Sequence, residues 1–301
     1  MSKPTQTIAT MLDQGVALFE SKQVYFGHGT DNAWDEAVYL LCHELGLPPD
    51  ADRSLLDRPV SDDQVTCIQS LFQRRVEERL PAPYLTGQAW FCSLPFYVDQ
   101  RVIIPRSPIA ELIYNQFQPW CLSSPSQILD LCTGSGCIGI ACSYAFEQAK
   151  VVLSDICPDA LAVAQINVDQ HDVADRVTVL QSDLFENFHS EHTHSFDLIV
   201  SNPPYVDAQD LASMPEEYNH EPTLALASGT DGLDVTRRLL KQATQYLSDE
   251  GILVVEVGNS ALALEQLFPE VPFTWLEFEQ GGQGVFVLTR EQLAQYNHIF
   301  N

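Results

Sequence analysis

The chain has 301 residues, 45% of them hydrophobic, and a formal net charge of −26. That is enough for one large domain or two; no apolar run reaches the roughly 18 residues of a membrane span, and MSKPTQTIATMLDQGVALFE lacks the basic start and apolar core of a secretion signal. Residues 1–110 hold a net −5 and residues 111–301 a net −21, a surface that aids solubility, repels phosphate backbones and attracts basic partners. The expectation is a cytoplasmic protein with no membrane partner and no stable hold on nucleic acid.

In chain order, the first elements are helical. TDNAWDEAVYLLCHELGL opens on capping residues, repeats apolar side chains at Trp34, Val38, Leu41 and Leu45, and stops at Gly46 with Pro48 beyond. SDDQVTCIQSLFQRRVEERL repeats the form, with Ser61 or Asp62 as cap and Val65, Ile68, Leu71, Phe72, Val76 and Leu80 on one face. QAWFCSLPFYVDQRVIIPR, rich in aromatic and β-branched residues around Pro95, predicts a hairpin. SPIAELIYNQFQPW then returns to a helical pattern, and LSSPSQ reads as a linker. The expected division is a helical domain over residues 1–85, a hairpin with its connecting helix over 86–125, and a larger domain over 126–301.

From Gln127 strands and helices alternate. Seven strands are expected, at ILDLC, VVLSD, VTVLQ, DLIVS, GILVVEV, TWLEFE and GVFVLT. Only QGGQ separates the last two, too short for a helical crossover, so they must pair antiparallel. The fold class is therefore α/β: a mostly parallel, Rossmann-like seven-stranded sheet ending in an antiparallel hairpin.

The first strand of this sheet runs into CTGSGCIG. Gly134 and Gly136 let the backbone pass close beneath a ligand where a helix begins. With Gly139 they also spell G-x-G-x-x-G, a pattern a nicotinamide dehydrogenase would share. Asp155 ends the second strand, 21 residues past Gly134, where a carboxylate accepts from both ribose hydroxyls. That suits an adenosine-containing methyl donor or NAD. Asp183, after the third strand, is placed to accept from an adenine amino group or to cap a turn, with Leu184 and Phe185 as apolar contacts.

The fourth strand delivers Asn202-Pro203-Pro204-Tyr205 to the same edge. Asn202 offers a donor and an acceptor to a planar amide or amino-imine edge. The Pro203 carbonyl accepts from an NH₂ group, and Tyr205 stacks on a flat guest. Hydride transfer has no use for such a set.

DLCTGSG followed by SNPPY resembles the class I, S-adenosylmethionine-dependent methyltransferases that modify nitrogen. More narrowly, YLTGQAWFCSLPFYVDQRVIIPRSP, HEPTLALASGTDGL and WLEF…GVFV make the whole chain resemble the protein glutamine N-methyltransferase family. Release-factor enzymes of that family carry Arg-Pro-Glu-Thr-Glu after the hairpin. Here the segment is Arg106-Ser107-Pro108-Ile109, which with YFGHGTDNAWDEA is similar to the branch acting on a large-subunit ribosomal protein. Cys132 stands where many relatives have glycine.

The resemblance implies a class I methyltransferase sheet after a helical substrate-recognition domain, S-adenosylmethionine as cofactor, and a basic ribosomal protein as partner. It implies donor contacts from Thr133, Gly134, Ser135, Gly136, Asp155, Asp183, Leu184 and Asn202. Substrate contacts fall to Asn202, Pro203, Pro204 and Tyr205, with Asn202, Pro203 and Tyr205 at the reacting nitrogen. Three other readings keep part of this: a release factor as substrate, a nucleic-acid adenine, or a non-enzymatic assembly factor. No metal is expected. The eight cysteines form no C-x-x-C pair and read as reduced core thiols, and His189, His192 and His194 lie in a loop without ligand spacing.

Overall fold

The computed structural model describes residues 6–48 and 50–300. It divides the chain into two units: one formed by residues up to Ala89 together with Pro215–His220, the other by Trp90–Met214 and Glu221–Asn301. The division at Ala89 precedes most of the hairpin, and the return of residues 215–220 to the first unit has no counterpart in the sequence pattern.

The first unit is built on α1 (Ile8–Ser21), α2 (Ala33–Leu45), α3 (Asp62–Glu77) and the short α4 (Ala82–Thr86). Side-chain caps start the long helices: Thr7 and Ser61 in reciprocal boxes with Thr10 and Gln64, and Asn32 on the Asp35 amide. Gly46 ends α2 in the left-handed region that glycine adopts without strain. Met11, Leu12, Phe19, Leu40, Leu41, Ile68 and Phe72 form the core. Gly15 lets α1 approach α3, since a Cβ there would stand 2.7 Å from the Phe72 ring.

Of the face expected on α2, Leu41 is buried and Val38 and Leu45 pack partly buried against the core, and only Trp34 departs. Trp34 is exposed, whereas Ala33, Glu36, Ala37, Leu40 and Leu41 face inward. The apolar residues join the core, and an ion pair accounts for the inward Glu36. Arg75 of α3, 1% exposed, donates from Nε to Glu36 Oε1 at 2.5 Å and from Nη2 to the Tyr25 carbonyl at 2.8 Å. The returning segment adds Glu217, which accepts from the Tyr25 amide at 3.0 Å and lies 3.6 Å from Arg75 Nη1 and 3.4 Å from Arg79 Nη1.

The second unit opens with the hairpin of β1 (Gln88–Phe91), whose first residues still belong to the helical unit, and β2 (Leu94–Tyr97). The helical run expected after it shrinks to α5 (Ile109–Tyr114), followed by turns. Then come β3 (Gln127–Leu131), α6 (Cys137–Ala145), β4 (Lys150–Asp155), α7 (Pro158–Gln170), β5 (Val177–Gln181) and β6 (Phe196–Ser201). After the loop helices α8 (Ala208–Ser213) and α9 (Thr223–Leu226) follow α10 (Asp234–Ala243), β7 (Leu247–Glu256), α11 (Ala261–Leu267), β8 (Thr274–Trp275), β9 (Val285–Thr289) and α12 (Arg290–Tyr296).

The seven-stranded sheet has the order β5-β4-β3-β6-β7-β9-β8. Pairings are parallel from β5 to β7 and antiparallel for β7 with β9 and β9 with β8. The last two strands thus pair as expected, although TWLEFE keeps only Thr274 and Trp275 in the ladder. Apolar side chains cover both sheet faces. Ile128, Val151, Leu198 and Val254 pack into one core with α5, α6 and α7, while Leu129, Ile199, Leu253 and Phe286 pack into another with α10, α11 and α12.

Strand order reverses between β3 and β6, and a crevice opens beyond the carboxyl ends of strands at such a switch point. Register makes it specific. Leu131 lies opposite both Ser154 and Ser201, so Cys132, Asp155 and Asn202 emerge level with one another.

Candidate active site

A cleft beyond β3, β4, β5 and β6 is lined by Cys132, Gly134, Asp155, Asp183, Leu184, Asn202 and Pro204, with Arg101, Val102, Ala160 and Arg238 among the other walls. Thr133, Ser135, Gly136, Pro203 and Tyr205 stand behind or beside it rather than in its lining.

The turn after β3 is shaped by a buried acid that the pattern alone did not single out. Asp130 Oδ2 accepts from Thr133 Oγ1 at 2.6 Å and from the Gly139 amide at 2.8 Å, while Oδ1 is buried with no hydrogen-bond partner among the described residues. Burial pushes its carboxyl up to about 7, the two hydrogen bonds working against that rise. Thr133 is thereby a prop of the turn. Ser135 is similarly inward: its carbonyl accepts from Asn167 Nδ2 at 2.8 Å.

Gly134 and Gly136 both have positive φ, 55° and 83°. A Cβ on Gly134 would meet nothing within 4 Å, so this backbone faces open space. A Cβ on Gly136 would lie 3.1 Å from Leu153. The first glycine is there for what lies above the turn and the second for packing beneath it.

Asp155 closes this turn. Its Oδ2 accepts from the Gly134 amide at 3.0 Å and its Oδ1 from the Cys157 amide at 2.9 Å, and burial raises its pKa against those bonds. Each oxygen keeps a lone pair for a further donor. Asp183 faces the cleft but is paired with Arg238, Nη2 to Oδ2 at 2.9 Å. Arg238 sits mid-helix in α10, and no spacing rule couples it to Asp183. Leu184 is buried with φ 49° and supplies an apolar wall.

On the other side of the switch point, Ser201 Oγ donates to the Leu131 carbonyl at 2.8 Å and locks the end of β6 to β3. The side-chain amide of Asn202 has no hydrogen-bond partner among the described residues and lines the cleft. Pro203 is buried and Pro204 half-buried. Tyr205 Oη donates to Glu256 Oε1 at 2.9 Å, and the Tyr205 carbonyl accepts from Ser260 Oγ at 2.8 Å. Beyond it, Val206 bridges Ala227, so HEPTLALASGTDGL braces the turn from outside.

Arg106 also finds its place there. Its Nη1 and Nη2 donate to Glu221 Oε1 and Oε2 at 2.5 and 2.6 Å, and Glu221 Oε1 also accepts from the Ile104 amide at 2.9 Å. The three loop histidines are engaged separately: His192 Nδ1 accepts from the His189 amide, and His194 Nδ1 lies 3.2 Å from Arg290. Among the described residues all eight cysteines are free, Cys67 being exposed rather than a core thiol.

A reversed parallel sheet with an antiparallel strand inserted at its far end, a glycine turn and an acid at the next strand tip define a class I methyltransferase. The Methyltransferase small domain family matches residues 111–217 and the PrmC N-terminal domain family residues 13–87. The chain is 48% identical over 297 residues to a ribosomal protein uL3 glutamine methyltransferase of Francisella tularensis, covering 98% of this chain and 93% of that one. It is 46% identical over 289 residues to the protein of the same name from Neisseria gonorrhoeae, covering 95% of each. Among solved structures, the hMettl16 catalytic domain in complex with MAT2A 3′UTR hairpin 1 shares the fold, with a TM-score of 0.53 at 17% identity over 84% of this chain and 90% of that one. The chain belongs to the protein glutamine methyltransferase family, that of the ribosomal protein uL3 enzymes. Family and fold imply S-adenosylmethionine as the methyl donor.

Proposed function

We propose that this enzyme methylates the side-chain amide nitrogen of a glutamine in ribosomal protein uL3, in the cytoplasm. The unpartnered carboxamide of Asn202, level with Asp155 across the switch point, carries this reading. Near-full-length identity to two proteins of that name supports the choice of substrate.

The cleft suits the donor. The open face of Gly134 leaves space for a ligand against backbone, Asp155 retains lone pairs for hydroxyls, and Leu184 and Ala160 give apolar walls. Gly134, Asp155, Asp183 and Leu184 would hold it, with Thr133, Ser135 and Gly136 shaping the turn. When bound, S-adenosylmethionine supplies an electrophilic methyl carbon on a sulfonium.

An amide nitrogen is a weak nucleophile because its lone pair is delocalised into the carbonyl. Asn202 bonds the substrate amide, the Pro203 carbonyl accepts from its NH₂, and Tyr205 and Pro204 border its plane. Holding the nitrogen in line supplies on the order of 7–11 kcal/mol. Bonds that draw density onto nitrogen favour its pyramidalisation. The methylated nitrogen is acidic and releases its proton without a strong base.

The helical unit contributes substrate selection. The net −21 of residues 111–301 speeds encounter with a basic ribosomal protein, so the rate with isolated uL3 falls as salt is added. The decisive experiment is incubation with labelled donor and purified uL3, followed by mass spectrometry. Methylglutamine is the expected product, and Asn202→Ala is expected to lower turnover at least about 100-fold. Near-normal turnover by that variant would overturn the amide clamp.

A further inference from the structure

Glu256 ends β7 and is 5% exposed. Its carboxylate oxygens are used separately: Oε2 accepts from Ser107 Oγ at 2.5 Å, and Oε1 accepts from Tyr205 Oη at 2.9 Å. Burial raises its pKa, and the two hydroxyls together with the charge of Arg106 offset that only in part. A buried carboxylate with hydroxyl partners costs more than an apolar side chain of the same size. Fold alone gives no reason to keep it.

What it touches gives one. The Tyr205 ring lies against backbone: a Cβ on Gly258, at φ 45°, would stand 2.5 Å from Cε2. Gly232 leaves room for the Tyr205 carbonyl, which Ser260 also holds. Backbone behind the ring and a carboxylate at its tip together restrict its rotation.

We propose that Glu256 is a positioning residue for methyl transfer, which holds the Tyr205 hydroxyl, with Ser107 as its second donor, and so sets the ring plane against the substrate carboxamide. This rests on the placement of Tyr205 beside the substrate amide under Proposed function. Glu256 acts through Tyr205, so the two losses must overlap.

The test is a double-mutant cycle in the full chain with uL3 and S-adenosylmethionine. Melting temperature and S-adenosylhomocysteine affinity are measured beside kcat and KM. Tyr205→Phe and Glu256→Gln are each expected to lower kcat about tenfold, with donor affinity within about twofold of the parent, and the double variant to lose about the same tenfold. A double loss near a hundredfold, or full kcat in Glu256→Gln, overturns the proposal. Should Glu256→Gln melt early, Ser107→Ala replaces it: about a threefold lower kcat is expected beside Tyr205 and no further loss beside Phe, and equal losses in both backgrounds overturn the proposal. Asn202→Ala is assayed in parallel. Its failure to lower turnover removes the clamp itself, whereas its loss combined with multiplying effects in the cycle removes only Glu256.

Discussion

Both units bury acidic side chains, and they treat them differently. In the helical unit Glu36 and Glu217 bracket the guanidinium of Arg75, and all three are 1–3% exposed at the side chain. In the sheet unit Asp130, Asp155 and Glu256 accept hydroxyl or amide donors, and burial raises the pKa of each. The first arrangement matches its carboxylates with guanidinium groups, Glu217 with Arg79 as well as Arg75. The second keeps lone pairs and proton affinity in reserve, Asp155 in the lining of the cleft itself, and perturbed acids gather at functional sites. Glu221 with Arg106 is the exception in the sheet unit, a matched pair that ties loops together.

The comparison can be broken in four places. Arg75→Ala leaves Glu36 buried without a cation and Glu217 with Arg79 alone, and is expected to cost about 3–5 kcal/mol in denaturant unfolding. A loss near zero would mean that the pair is not the reason α2 turns Glu36 inward. Glu221→Ala leaves Arg106, which is 25% exposed and can reach water, so about 2 kcal/mol is expected, together with slower methylation as the loops loosen. Asp155→Ala is expected to weaken S-adenosylhomocysteine by about 1–3 kcal/mol in calorimetry; unchanged affinity would remove Asp155 from the donor site.

The fourth test falls on Asp130 and is read in the pH dependence of stability. Its folded pKa of about 7 lies above its ordinary value of 3.8, so the native state binds the proton more tightly. Its contribution to stability is full below pH 3.8, declines as pH rises, and is lost above about 7. Asp130→Asn keeps the acceptor for Thr133 and Gly139 without the charge. The stability difference between variant and parent should therefore grow in the variant's favour from pH 4 to pH 8, by a few kcal/mol at most. A constant difference would mean that Asp130 is ionised throughout.

Much of this was legible in the sequence, for identifiable reasons. Strands buried on both faces read as continuous apolar runs, so ILDLC, VVLSD and DLIVS were plain. QGGQ dictated the antiparallel end. Asp155 and Asn202 were legible because each ends or directly follows such a strand, and Gly134 because it opens the glycine turn two residues beyond one. Contacts between distant side chains were not. Nothing local couples Arg238 to Asp183, or Ser107 and Tyr205 to Glu256, since the partners are 55, 149 and 51 residues apart. Trp34 misled because an aromatic at helical spacing reads as core, while the charged Glu36 faces inward to meet an arginine on another helix.

The excursion of Pro215–His220 into the helical unit bears on how this protein can be dissected. Cutting the chain once, after Ala89, does not yield two self-sufficient halves: the released N-terminal piece lacks Glu217, and the remainder carries six residues folded against nothing. An expression fragment of the helical unit needs that hexapeptide grafted on or added in trans, and a chimera that exchanges helical units must exchange both stretches together.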